Sequence, residues 1–129
     1  MTSWSLRLAL PYPPSINHYY RRWQGRTIIS AAGREFRRRV QAILQTTPRL
    51  QRLSGRLTIW VAVRVPDLRE RDLDNIWKPL LDALQHGGLV ARDSQFRDQR
   101  VVDAGLQRPD GQVEVFIRPF ELDHDWPPR

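Results

Sequence analysis

Apolar positions recur with two different periods along this chain. Leu57, Ile59, Val61, Val63 and Val65 alternate with Thr58, Trp60, Ala62 and Arg64. That period of two predicts a strand over Leu57–Val65 with one face in a core. Phe36, Val40, Ile43 and Leu44 instead follow i, i+4, i+7 and i+8. They predict a helix capped by Ser30 and running to about Gln45, with Pro48 behind it and Arg34, Arg37 and Arg38 on its polar face. Trp77, Leu80, Leu81 and Leu84 mark a second helix, from about Asp74 to His86, stopped by Gly87-Gly88. Trp77 is assigned to the core.

Shorter elements complete the pattern. Ser5–Leu10 reads as an opening strand, ended by Pro11-Tyr12-Pro13-Pro14, which cannot continue a ladder. Tyr19–Ser30 has the character of a hairpin turning at Gln24-Gly25. Leu89-Val90 is a brief strand before the turn-like Arg92–Gln95. Arg100–Leu106 and Gln112–Phe120 are expected to pair as a hairpin across Arg108-Pro109-Asp110-Gly111. The order is that of a single α/β (α+β) domain with a mixed sheet and two main helices, over residues 1–120. Residues 121–129, acidic and proline-containing, are expected to form a mobile tail.

Composition narrows the chemistry. With 129 residues, 40% apolar and 27% charged, the chain matches one globular domain. It has no cysteine, so disulfides, zinc-thiolate sites and thiol nucleophiles are excluded. No apolar run reaches the roughly 18 residues of a membrane span, and the first residues are too short and broken for a signal peptide. The cytoplasm and no membrane partner are therefore expected. The formal charge is +7, and it is unevenly spread. Residues 1–60 hold 11 arginines against the single acid Glu35, whereas residues 61–129 hold 10 basic and 13 acidic side chains. A segregated positive surface suggests a polyanionic partner, since counterion release from phosphates drives association.

The segment Arg71-Asp72-Leu73-Asp74-Asn75-Ile76-Trp77-Lys78 lies where a strand and its loop hand over to a helix. Asp72 and Asp74, two apart in extended chain, project to one side, and Asp74 and Lys78, four apart, share a helical face. Two carboxylates about 6 Å apart repel by roughly 3 kcal/mol at an effective dielectric near 20. A divalent cation between them relieves that cost, and oxygen ligation suits Mg²⁺ or Mn²⁺. Asp93, in the turn after the second helix, is a third candidate ligand. These parts fit metal-assisted phosphodiester hydrolysis, with Lys78 stabilising transition-state charge and Arg71 holding a phosphate. Asp74 is equally suited to capping the helix, and Asp74/Lys78 to an ordinary surface pair. One observation favours chemistry: 20 of the 21 basic residues are arginine, and the sole lysine is Lys78.

Other residues carry weaker signals. His18, His86 and His124 are scattered and read as surface or capping histidines. Asp82 continues the 74–78–82 helical face and is suited to be a fourth carboxylate, but is read first as a solvated helix residue, while Asp98 and Asp103 are read as surface or strand-edge charges. Tyr19, Tyr20 and Trp23 stand among Arg21, Arg22 and Arg26, suited either to stacking on bases or to half-burial in the hairpin.

Several stretches together resemble the RusA-type Holliday-junction resolvases. They are Leu10-Pro11-Tyr12-Pro13-Pro14-Ser15 with Tyr19-Tyr20-Arg21, Gly25-Arg26-Thr27 leading to Ser30, and Arg71-Asp72-Leu73-Asp74-Asn75 with Lys78. The resemblance continues through Asp82-Ala83-Leu84, Gly87-Gly88-Leu89 and Asp93, covering roughly residues 6–105 in one order. It implies a homodimer of mixed α/β fold that uses Mg²⁺ or Mn²⁺ to nick two opposed strands of a four-way DNA junction symmetrically. It also implies Asp72, Asp74 and Asp93 as catalytic metal ligands and Lys78 as the essential lysine. Arg21, Arg22, Arg26, Arg34, Arg37, Arg38 and Arg71 are the expected phosphate contacts. Pro79, inside the second helix beside Lys78, and Ile16 in the proline-rich loop depart from the family pattern. Two other readings stay open: a metal nuclease acting on flap or duplex DNA, and a branched-DNA-binding protein that does not cut. No nucleotide cofactor is expected, because 129 residues leave little room for a domain to bind one.

Overall fold

A computed structural model describes residues 5–122 and Pro127. The strands are β1 (Leu6–Pro11), β2 (Tyr20–Trp23), β3 (Arg26–Ile29), β4 (Leu57–Val65), β5 (Phe96–Leu106) and β6 (Gln112–Pro119). The helices are α1 (Ile16–Tyr19), α2 (Ala31–Thr46) and α3 (Trp77–His86). Four strands form one mixed sheet in the order β1-β6-β4-β5, and β2-β3 form a separate ribbon. The expected fold class holds.

β4 is central because its alternation buries Leu57, Ile59, Val61 and Val63 at no more than 1% exposure each. It runs antiparallel to β6 and parallel to β5, the parallel pair being joined through α3 as a crossover connection requires. Val113, Val115 and Ile117 of β6 and Leu8 and Leu10 of β1 add to the same face. Against it pack Phe36, Val40 and Leu44 of α2 and Leu80, Leu81, Ala83 and Leu84 of α3.

Local chemistry sets the helix ends. The Ser30 hydroxyl accepts from the Gly33 N–H at 3.0 Å, capping α2, and donates to the Tyr19 carbonyl at 2.9 Å, tying α1 to it. At the end of α3, Gly88 at φ +87° lets the Gly88 and Leu89 N–H groups return to the Gln85 and Leu84 carbonyls. Pro79 leaves α3 continuous from Trp77 to His86. It is the third helical residue, where the N–H has no partner within an α-helix.

The expected hairpin of Arg100–Leu106 with Gln112–Phe120 does not form, because β4 lies between β5 and β6. The Arg108-Pro109-Asp110-Gly111 turn reverses the chain but carries it across the end of β4. There the Gln107 N–H donates to the Val65 carbonyl at 2.8 Å. A turn sequence sets direction, not adjacency. Leu89-Val90 contributes only a bridge, Leu53 to Val90, and α1 arises where no element was expected. The Gln24-Gly25 turn is as expected, with both residues at positive φ. Of the expected tail, residues 123–126, 128 and 129, with His124 among them, lie outside the described residues.

One close approach yields a stability prediction. A Cβ on Gly33 would sit 2.5 Å from the Tyr19 carbonyl oxygen and 2.7 Å from Ile29 Cγ1. Gly33→Ala is therefore expected to destabilise the domain by about 1–3 kcal/mol, read as a lowered midpoint in urea.

Candidate active site

The loop leaving β4 is organised around Arg71. Its guanidinium pairs with the Asp67 carboxylate at 2.7 Å and donates to the Asp67 and Arg69 carbonyls at 3.1 and 3.2 Å. The Tyr12 ring lies 5.9 Å away. Asp67 is held below the ordinary carboxylate range, first by the Arg69 backbone N–H and then by Arg71. A depressed carboxyl contributes its stability above its ordinary value of about 4 and loses it as pH falls through the folded value. Near neutral pH the clamp on Arg71 is therefore intact.

Asp72 and Asp74, both exposed, follow at the cap and in the second position of a 3₁₀ turn, Leu73–Ile76, whose Ile76 is buried. The expected N-cap role for Asp74 is not seen. Asp72 occupies the cap position of the turn without a side-chain bond, and Ile76 occupies that of α3. The expected Asp74/Lys78 pair is also absent, because Asp74 belongs to the tighter 3₁₀ turn and α-helical spacing begins only at Trp77. Lys78 Nζ instead lies 3.7 Å from Asp93 Oδ2. The crossover that makes β5 parallel to β4 brings these two together.

The turn carrying Asp93 is pinned by two glutamines that sequence reasoning passed over. Gln85 Oε1 accepts from the Asp93 N–H at 3.0 Å. Gln95 Oε1 accepts from the Ala91 and Arg92 N–H groups, while its Nε2 donates to the Leu53 and Gly55 carbonyls. Polar side chains in a turn give no distinctive signal until their carbonyl partners, 40 residues away in the case of Gly55, are known.

Beside Lys78, Asp82 is not the solvated residue expected. Its Oδ2 accepts from the Tyr19 hydroxyl and from Arg37 Nε and Nη2, the latter two at 3.0 and 2.7 Å. Tyr19 is fully buried, and burial followed by the bond to Asp82 pushes its phenol far above the usual value, so it acts as a neutral donor. Tyr20 stands edge-on to Tyr19, with ring centroids 4.8 Å apart. Its phenol is raised by burial and then by Asp82, and it also feels Lys78, Arg37 and Asp93. The one signal was Asp82's place on the 74–78–82 face.

Known proteins match this sequence over most of its length. The family model described as Endodeoxyribonuclease RusA matches residues 11–118. A crossover junction endodeoxyribonuclease of Enterobacteria phage HK97 is 43% identical, over 89% of this chain and 95% of the phage protein. Proteins of the same name from Shigella sonnei and Escherichia coli K12 are 39% and 38% identical, each over 85% of this chain and 91% of their own length. The chain belongs to the RusA endodeoxyribonuclease family.

Within that RusA frame, the expected gathering of Asp72, Asp74 and Asp93 around one cation is not a feature of this structure. Among the described residues, no three acidic, histidine or cysteine side chains are placed to hold a metal ion. The fit to Mg²⁺ rests on fewer donors. That ion keeps several waters and is commonly held by one or two carboxylates together with substrate phosphate oxygens. Asp72 and Asp74 are exposed, their carboxylates make no hydrogen bond or ion pair with other described residues, and they meet that requirement.

The expected phosphate contacts divide. Arg21 and Arg26 are exposed on the β2-β3 ribbon, and Arg22 beside them bonds Thr27 Oγ1 and the Gly25 carbonyl. On α2, Arg34 reaches the Ile29 carbonyl at 3.1 Å and Arg38 pairs with Glu35 at 2.7 Å, both exposed. Arg37 is committed to Asp82 and Tyr19, which corrects its assignment as a free phosphate contact. Trp23 is 46% exposed on the ribbon, whereas Tyr19 is core and cannot stack on a base.

Proposed function

We propose that this RusA-family chain is a metal-dependent endodeoxyribonuclease that resolves four-way DNA junctions by paired, symmetric nicks. It acts as a homodimer in the cytoplasm, in recombination and repair. The observation that carries the reading is the family match across residues 11–118, on a chain whose Asp72 makes no side-chain cap bond and whose Asp74 lies in the turn leading into α3, the helix that carries Lys78. Uncapped exposed carboxylates also count against the reading in which they serve only as helix caps. No described helix is long and apolar enough to cross a membrane.

In this reading Asp72 and Asp74 would hold Mg²⁺ or Mn²⁺, together with phosphate oxygens of the DNA. When bound, the cation lowers the pKa of a water and neutralises charge on phosphate oxygens. The protein's own part is positional. Arg71, fixed by Asp67, and the exposed arginines of residues 21–38 take phosphates of the DNA backbone and set its register on the surface. Lys78 presents a compact ammonium to the charge that develops at the scissile phosphate, and Asp93 keeps that ammonium aimed. Lys78→Arg is expected to lower junction cleavage about a hundredfold with affinity little changed, measured as single-turnover rate against binding. Unaltered cleavage would remove Lys78 from the chemistry.

The test of the function itself is a comparison of substrates. Cleavage with Mg²⁺ is measured on a synthetic four-way junction, a flap and a linear duplex. The junction is expected to be cut and the linear duplex spared. Equal cutting of flap or duplex would make the chain a general nuclease, and binding without any product would make it a binding protein.

A further inference from the structure

The ribbon β2-β3 belongs to no larger sheet, and its two faces differ. Paired residues share a face, so Tyr20 with Ile29 and Arg22 with Thr27 form one side, and Arg21 with Ile28 and Trp23 with Arg26 the other. Tyr20 and Ile29 pack against the core, which turns their side inward. The other side faces away from the core. There Trp23 is 46% exposed, and Arg21 and Arg26 stand beside it with no hydrogen bond or ion pair among the described residues. Trp60 is flanked by the guanidinium groups of Arg100 and Arg118, and Trp77 donates to Gln99. Trp23 has no such partner among the described residues. Its position is nonetheless fixed. Gln24 and Gly25, at φ +48° and +75°, make the turn, and Arg22 braces it by donating to Thr27 Oγ1 and the Gly25 carbonyl at 3.2 and 3.3 Å. A ring held in place before its ligand arrives has less ordering cost to meet on binding.

We propose that Trp23 is a stacking platform for a nucleobase whose outer face has lost its neighbour at the branch of a DNA junction, with Arg21 and Arg26 taking the phosphates beside that base. The ribbon starts at the candidate active site. Tyr20 stands edge-on to Tyr19, whose hydroxyl bonds Asp82, one turn beyond Lys78 on α3. Three residues of extended strand carry Trp23 about 10 Å beyond Tyr20, roughly three nucleotide steps along a DNA strand. No acidic residue precedes Glu35 in the chain, so the ribbon itself bears positive charge alone. An aromatic ring between arginines is the pairing that unstacked nucleic acid requires: the ring takes the π-face of any base, and the guanidinium groups track the backbone.

The inference rests on the junction reading for its ligand and adds a group that tells a branch from a duplex. In an unbroken duplex each base is covered on both faces, so Trp23 gains nothing there. At a branch one face is open, and the gain is made only on the branched substrate.

Trp23→Ala and Trp23→Phe test this on the full chain. Binding to a synthetic four-way junction and to a linear duplex is measured in chelator, where nothing is cut. Trp23→Ala is expected to lose about ten- to a hundredfold in junction affinity with duplex affinity unchanged, and Trp23→Phe to recover most of the loss. The side chain is exposed, so both variants should melt with the parent. A second readout is positional. Iodouracil placed at the branch and irradiated in the complex is expected to cross-link to Trp23, identified by mass spectrometry of the peptides, whereas the same base in the middle of an arm is not. No loss of junction affinity in Trp23→Ala, an equal loss on junction and duplex, or cross-linking that ignores the branch would each overturn the stacking role. In those cases paired nicks by the parent protein would leave the junction reading standing. A parent that binds the junction no better than the duplex would fail that reading and the stacking role with it.

Discussion

Asp72→Asn and Asp74→Asn are each expected to slow junction cleavage about a thousandfold or more. Removing a charge that holds a catalytic cation removes several kcal/mol of transition-state stabilisation, and every 1.36 kcal/mol is tenfold in rate. Junction affinity should be unchanged or higher, since each substitution takes a carboxylate away from the phosphates. Both side chains are exposed and uncapped, so thermal stability should hardly move. Single-turnover cleavage, binding and melting measured on the same preparations separate these effects. Undiminished cleavage by either variant would show that its carboxylate is not part of the chemistry.

Asp82→Ala is expected to be the most damaging polar substitution for folding. It strands the Tyr19 hydroxyl, fully buried, and leaves the three-quarters-buried Arg37 guanidinium without its counter-charge. The penalty for an unpaired buried hydroxyl is about 1–3 kcal/mol, and breaking a buried ion pair costs about 3–5 kcal/mol. Partial exposure of the pair and the shared acceptor reduce the sum to about 2–4 kcal/mol. Chemical denaturation reads this directly. Asp82→Asn keeps an acceptor and should recover part of the loss. An Asp82→Ala protein of unchanged stability would mean that the Tyr19–Arg37–Asp82 contacts contribute nothing net. Because Asp82 lies one turn beyond Lys78 on α3, a lower cleavage rate in Asp82→Asn at unchanged stability would mark it as a positioning residue for Lys78.

Much of the fold was legible because burial is periodic in the elements that form the core. The span of β4, the Ser30 cap of α2 and the glycine stop of α3 depend on neighbours within a few residues, and each lies where its pattern puts it. Adjacency was not legible. The turn after β5 announced a reversal, yet β6 pairs with β4, whose antiparallel register from Leu57/Pro119 to Arg64/Gln112 leaves β5 the other side. The candidate site divides in the same way. The Asp72-Leu73-Asp74 run and the lone lysine could be seen in the sequence, but the partner of Lys78 could not. An i,i+4 rule pointed to Asp74, and a 3₁₀ turn followed by a crossover gave Asp93. Asp82 looked solvated because its partners, Tyr19 and Arg37, are 63 and 45 residues away.

The central claim is paired cutting of a four-way junction, and a supercoiled plasmid extruding a cruciform tests it most directly. Two nicks made across the junction within one binding event convert the plasmid to a linear form, whereas isolated nicks leave an open circle. With Mg²⁺ the protein is expected to give linear DNA whose ends map to opposed strands at the cruciform base, and with chelator it should bind the junction without cutting. Only open circles, or cutting that ignores the cruciform, would contradict the account.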